Sequence, residues 1–145
     1  MKNRKNLQFI LVAFGICCAS FIAIHEEPWN VFQLMEPKAL VDIITDPTQK
    51  QPLVISIGPA GLIKGAVEAN PAKDKENLTQ LRERLSKEPK DKQIVLYCGC
   101  CPFKDCPNIR PAFSLLNDMG FKNHKLLNLP TNLKVNWIDK GYPMN

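Results

Sequence analysis

The sequence predicts an α/β domain built on a mainly parallel sheet. Two observations carry this. Short apolar, strand-like runs alternate with helix-period segments along the body of the chain, the order that puts helices on the faces of a parallel sheet. Leu53-Val54-Ile55-Ser56-Ile57 and Ile94-Val95-Leu96-Tyr97 are also apolar on successive residues, as strands covered on both faces are.

The first segment is read apart from the domain. Lys2, Arg4 and Lys5 precede an apolar run from Leu7 to Ile24 that only Gln8, Gly15 and Ser20 interrupt. A positive start followed by a hydrophobic stretch is the order of a secretory signal. No clean Ala-x-Ala cleavage site follows, and the run is close to the roughly 18–20 residues that span a bilayer. Residues 1–24 are therefore expected to be a signal peptide or an N-terminal membrane anchor, with the protein exported, periplasmic or anchored facing outside the cytoplasm. Contact with the membrane is expected only through this segment. Cleavage would leave a chain starting between Ser20 and His25. A lipoprotein reading on Cys17 or Cys18 fits poorly after the bulky Phe14 and Ile16.

Glu26 to Glu36 is expected to be a lead-in that docks on the domain surface. Pro37 suits a first helical position, and Ala39, Leu40, Ile43 and Ile44 give a short amphipathic helix that Asp46-Pro47 stops. The strand Leu53–Ile57 ends in the turn Gly58-Pro59-Ala60-Gly61. Leu62 to Val67 reads as a second turn feeding a short strand. Pro71 to Lys92 is polar but keeps Leu78, Leu81 and Leu85 at helical spacing, so it is a surface helix with a narrow apolar face. Its Asn77-Leu78-Thr79 matches a glycosylation sequon that says little on a helix.

Gln93–Tyr97 forms the next strand. The following helix has Asn108 as its expected N-cap, an apolar face of Ile109, Ala112, Phe113, Leu116 and Met119, and Gly120 at its left-handed end. Lys125–Leu129 is a last short strand. Asn132 to Lys140 is a terminal helix with Trp137 turned inward. His124 is expected at the surface, and Phe113 and Trp137 in the core. The domain is assigned to residues 35–145.

At 145 residues, 45% hydrophobic and 23% charged, the chain can bury a real core without disulfides or metal. Its net charge is +5, of which the three positives at the N-terminus leave +2 for the rest. No basic stripe with interleaved aromatics is present, so nucleic-acid binding is not expected.

The chemistry concentrates between Tyr97 and Arg110, where Cys98, Cys100, Cys101 and Cys106 place four of the six cysteines in one loop. A thiol reacts as its thiolate. A loop that runs into a helix N-terminus supplies backbone N–H groups and the positive end of the helix dipole, both of which favour an anion. Arg110 could add a positive charge on that side, or could simply face solvent. Prolines 102, 107 and 111 restrict the backbone.

The order of segments resembles the rhodanese-like domain. The likeness rests on the strand Leu53–Ile57, Ile63-Lys64-Gly65-Ala66, the strand ending Val95-Leu96-Tyr97-Cys98, Gly120-Phe121, and Trp137 with Gly141-Tyr142-Pro143. It covers Met35 to Pro143. The resemblance implies a three-layer α/β domain with a central, mainly parallel sheet flanked by helices. It also implies sulfurtransferase activity of the thiosulfate sulfurtransferase type, with Cys98 carrying sulfane sulfur as a persulfide between a small sulfur donor and a thiol acceptor. No cofactor is implied. The sequence departs from the family at three places. Ser56-Ile57-Gly58 replaces the usual Asp-x-Arg, the active-site loop is enlarged and cysteine-rich, and Leu129-Pro130-Thr131-Asn132 replaces a Gly-Gly.

Three readings of the loop compete. Persulfide transfer at Cys98 comes first, with Cys100, Cys101 or Cys106 as acceptor or resolving thiol and Arg110 stabilising the anion. Structural or redox disulfides, including exchange through Cys98-Gly99-Cys100-Cys101, come next. Third is a soft-metal site of up to four thiolates from Cys98, Cys100, Cys101 and Cys106. A phosphatase is set aside, because Cys-x5-Arg counted from Cys98 meets Lys104.

Overall fold

The computed structural model describes residues 26–145, so the expectations for residues 1–24 lie outside the described part. Five strands form one parallel sheet: β1 (Leu34–Met35), β2 (Leu53–Ser56), β3 (Val67–Glu68), β4 (Gln93–Tyr97) and β5 (Asn123–Leu127). Their order across the sheet is β1-β5-β4-β2-β3, which puts β4 at the centre. Four α-helices, α1 (Pro37–Thr45), α2 (Lys75–Leu85), α3 (Ile109–Asp118) and α4 (Leu133–Asn136), cover its faces. This is the α/β, mainly parallel architecture expected from the sequence.

The continuous apolar runs are explained by a sheet buried on both sides. Successive side chains of a strand point to opposite faces. Ile94, Leu96 and then Cys98 enter one core with Leu81 and Leu85 of α2 and Phe113 of α3. Val95 and Tyr97 enter the other, with Leu40 of α1, Leu133 of α4 and Trp137. All five of these β4-side residues are fully buried. Cys98 therefore continues the alternation of β4 into the α2/α3 layer, one residue past the carboxyl end of the central strand.

Several expectations are corrected. The lead-in is part of the sheet, not a surface strap: Leu34 and Met35 pair with Leu126 and Leu127 of β5 as an edge strand. Two residues are too few to show a period, so pairing with β5 and not local propensity defines β1. Trp29 packs into the α2/α3 core, edge-on to Phe113 at 5.6 Å between centroids. The last strand spans Asn123–Leu127, two residues earlier than expected, and the terminal helix is short, with a 3-10 turn at Ile138–Lys140 after Trp137.

His124 is buried rather than at the surface. Its Nε2 lies 2.8 Å from Asn117 Oδ1 and 3.3 Å from Gln33 Nε2, and its ring packs on Phe113. Burial holds its pKa below the usual histidine value, so it is neutral at physiological pH. No helix among the described residues is long and apolar enough to cross a membrane.

Candidate functional site

Beyond β4 the chain makes a loop, with a 3-10 turn at Phe103–Asp105, before entering α3. Crevices beyond the carboxyl ends of parallel strands are where α/β proteins bind ligands. Two backbone bonds seat the loop: Leu133 N donates to Gly99 O (2.9 Å), and Phe103 N donates to Leu129 O (3.2 Å). Gly99 has a φ of +79°, and a Cβ there would lie 2.8 Å from Leu133 Cβ, so the tight turn after Cys98 needs glycine.

Gly58 is the second glycine with a steric role. A Cβ at Gly58 would sit 2.3 Å from Cys98 Sγ, inside any permitted contact. The sulfur thus rests directly on the Gly58 backbone, at the position where the resemblance would put arginine. The end of β2 is fixed to β4 by Ile57 N donating to Tyr97 O (2.9 Å). Tyr97, one residue before the cysteine, holds the neighbouring turn, donating its hydroxyl to Gly61 O (2.9 Å) and accepting from Ile63 N (3.0 Å).

The loop brings three of the four cysteines together. The Sγ atoms of Cys98, Cys100 and Cys106 all lie within 4.8 Å of one another. Cys98 and Cys100 are 3.3 Å apart, and Cys101 reaches Cys100 at 3.4 Å. All four are free thiols; Cys98 and Cys106 are buried and Cys100 is exposed.

Asn108 stands at the N-cap position of α3, as expected, but its side chain has a different task. It does not cap α3 with its side chain. Its Nδ2 donates to Cys98 Sγ (3.4 Å), while its Oδ1 accepts from Lys73 N (3.1 Å), which orients the amide with its donor toward the sulfur. The available signal was its place in the cysteine loop, ten residues after Cys98, but the rule for N-caps competed with it.

Arg110 is also placed differently from expectation. Its Nη2 is taken by Glu27 and by Lys104 O, each at 2.6 Å, and its guanidinium lies 5.8 Å from the Trp29 ring. It makes no hydrogen bond to a cysteine; it ties the loop to the lead-in segment. The groups that reach the Cys98 sulfur are Asn108 and the neighbouring Cys100 thiol.

The electrostatics follow from this shell. The Cys106 thiol, then the Asn108 amide and the Cys100 thiol and backbone N–H, favour a negative sulfur at Cys98 and outweigh its burial. Together they bring the Cys98 pKa down to about 5. The partners move the other way. Shielding of its sulfur by the loop, together with the nearby Cys98, pushes Cys100 up to about 12 even though the residue as a whole is exposed. Cys98 and burial push Cys106 upward too. The arrangement favours ionisation at Cys98 over Cys100 and Cys106, with an amide donor beside the Cys98 sulfur.

No protein-family model matches this sequence, and no curated protein matches it. Solved structures do. Two structures of EanB variants in complex with hercynine match with a TM-score of 0.57, at 18% and 19% identity, over 83% of this chain. The chain spans 29% of EanB's own length. A Rhodanese_3-like domain from Anabaena sp. matches with a TM-score of 0.44 at 21% identity, over 65% of this chain and 98% of that domain. At these identities the likeness is one of fold. In fold, this chain is an α/β domain similar to the matched part of EanB, with a cysteine cluster at the carboxyl end of its central strand.

Proposed function

We propose that this protein is a sulfurtransferase in which Cys98 accepts sulfane sulfur and carries it as a persulfide. The observation that supports this most is the buried Cys98 sulfur, seated on Gly58 and within hydrogen-bond distance of Asn108 and Cys100. A thiolate attacks the outer sulfur of a donor such as thiosulfate, the donor S–S bond breaks, and sulfite leaves with the electron pair. The same donors that hold the thiolate then stabilise the persulfide anion. A small thiophilic acceptor takes the outer sulfur and returns Cys98 to the thiolate. No net oxidant or reductant is consumed.

The partners are a small sulfur donor and a thiol acceptor. The chain is exported and faces outside the cytoplasm, a reading supported by the basic start and apolar run of residues 1–24. The test is turnover: thiosulfate and cyanide, and in parallel glutathione persulfide and cyanide, with thiocyanate measured. Thiocyanate release that is lost in Cys98→Ser supports the assignment; none with either donor overturns it.

The three sulfurs within 4.8 Å favour a second reading, a redox or soft-metal thiol module. A stoichiometric metal ion, or loop thiols resistant to alkylation after native purification, would promote it.

A further inference from the structure

We propose that Cys100 is the port of the site: it takes the outer sulfur from the Cys98 persulfide and presents it to thiol acceptors too large to reach Cys98. This rests on the persulfide reading of Cys98. It adds what that reading lacks, a route from a closed sulfur to the outside.

Three observations carry it. Cys98 has no exposed surface, while Cys100, two residues on, is exposed. Their Sγ atoms are 3.3 Å apart, within reach for attack by one sulfur on a group carried by the other. The third member of the cluster, Cys106, is fully buried and so cannot meet an external partner; its place is to hold Cys98. A large acceptor therefore meets the cluster at Cys100, whose backbone is fixed next to Gly99, itself pinned by Leu133.

The step balances without an oxidant. The Cys100 thiolate attacks the outer sulfur of the Cys98 persulfide. One S–S bond forms at Cys100 as the Cys98 S–S bond breaks, and Cys98 leaves as the thiolate that its surroundings stabilise. Low basicity of the leaving thiol speeds such exchange and basicity of the attacker raises its nucleophilicity, while the small thiolate fraction of Cys100 slows the step at neutral pH and makes it faster as pH rises. The proton that Cys100 gives up passes to solvent, which the exposed residue contacts. Attack on the inner sulfur would be a different reaction, releasing hydrosulfide and leaving a Cys98–Cys100 disulfide.

The experiment uses the full chain and compares two acceptors: cyanide, which is small, and a polyethylene glycol carrying one terminal thiol. Protein loaded from thiosulfate or glutathione persulfide is mixed with each, and loss of the added sulfur is followed by intact mass in wild type, Cys100→Ser and Cys100→Ala. The relay predicts that the ratio of polymer-thiol rate to cyanide rate falls by about tenfold or more in both variants, the size expected when a transfer step loses its nucleophile but its alternatives remain. Parallel loss with both acceptors would mean that Cys100 acts only on the ionisation of Cys98, and an unchanged ratio would mean that the polymer reaches Cys98 directly; either overturns the relay. A disulfide with released hydrosulfide in wild type would also overturn it. Failure of wild type to load any sulfur is a separate outcome, and it refutes the persulfide reading itself.

Discussion

Gly58→Ala tests the seat of the reactive sulfur. The glycine is not in the left-handed region, so its backbone accepts alanine; what opposes the methyl group is the sulfur at 2.3 Å and the Cys98 carbonyl oxygen at 3.2 Å. Ordinary contact begins near 3.4 Å, so Cys98 Sγ must retreat by about 1.1 Å or the end of β4 must move. The strand end is held by the Ile57–Tyr97 backbone bond, which leaves the sulfur as the part that yields. Overpacking of this kind costs about 1–3 kcal/mol of stability. A displaced sulfur also loses hydrogen bonds to its ionised form, each worth about 1.5–3 kcal/mol. At about 1.4 kcal/mol per pKa unit, losing one raises the Cys98 pKa by about 1–2 units. The assays are the urea midpoint and the pH dependence of iodoacetamide alkylation. Wild-type midpoint and an unchanged alkylation profile in Gly58→Ala would refute the placement of Cys98 on Gly58.

Other outcomes follow from the same shell. In wild type, alkylation of Cys98 should be half-maximal near pH 5, well below the value of a free thiol; a midpoint near that of free cysteine would contradict the hydrogen-bonded thiolate. Because the folded pKa of Cys98 is depressed, its contribution to stability is fully present above the unfolded thiol's pKa and is lost as pH falls through about 5. The raised pKa values of Cys100 and Cys106 act oppositely, losing stability as pH rises past the unfolded value. Urea unfolding of the reduced protein should therefore be most resistant near the pKa of an unfolded thiol, about 8.5, and Cys98→Ser should flatten the acid limb. Asn108→Asp exchanges the donor on Cys98 for a carboxylate and should raise the alkylation midpoint by about 1 unit or more, whereas an unmoved midpoint would show that the amide is not a donor there. Arg110→Gln removes the partner of Glu27 and should lower stability by about 1–3 kcal/mol, measured in urea, while moving the Cys98 midpoint far less than Asn108→Asp does. A larger shift with Arg110→Gln would return the anion-stabilising part to arginine.

The legible parts of the fold were those with an intrinsic signature. Ile94 to Tyr97 is apolar on every residue because both faces of β4 are covered, and Ile109, Ala112, Phe113 and Leu116 repeat at helical spacing because one face of α3 packs on the sheet. The position of Cys98 followed, since it continues the strand. What stayed hidden depends on partners distant in sequence. β1 is two residues long and exists through β5. His124 is buried because Phe113 and Asn117 of α3 and Gln33 meet it. Arg110 turns from the cysteines because Glu27, 83 residues away, binds it. Asn108 has the residue type of a cap, and only the proximity of Lys73 and Cys98 gives its amide another task. The glycine at position 58 read as a turn residue, when its missing side chain makes room for the sulfur.

The most direct test of the central claim is the intact mass of the full chain after incubation with thiosulfate or glutathione persulfide under anaerobic conditions. A persulfide intermediate predicts a gain of one sulfur, about 32 Da, on wild type, its removal by cyanide, and no gain on Cys98→Ser. A wild-type chain that gains no sulfur from either donor, or one that gains it equally without Cys98, would contradict the account.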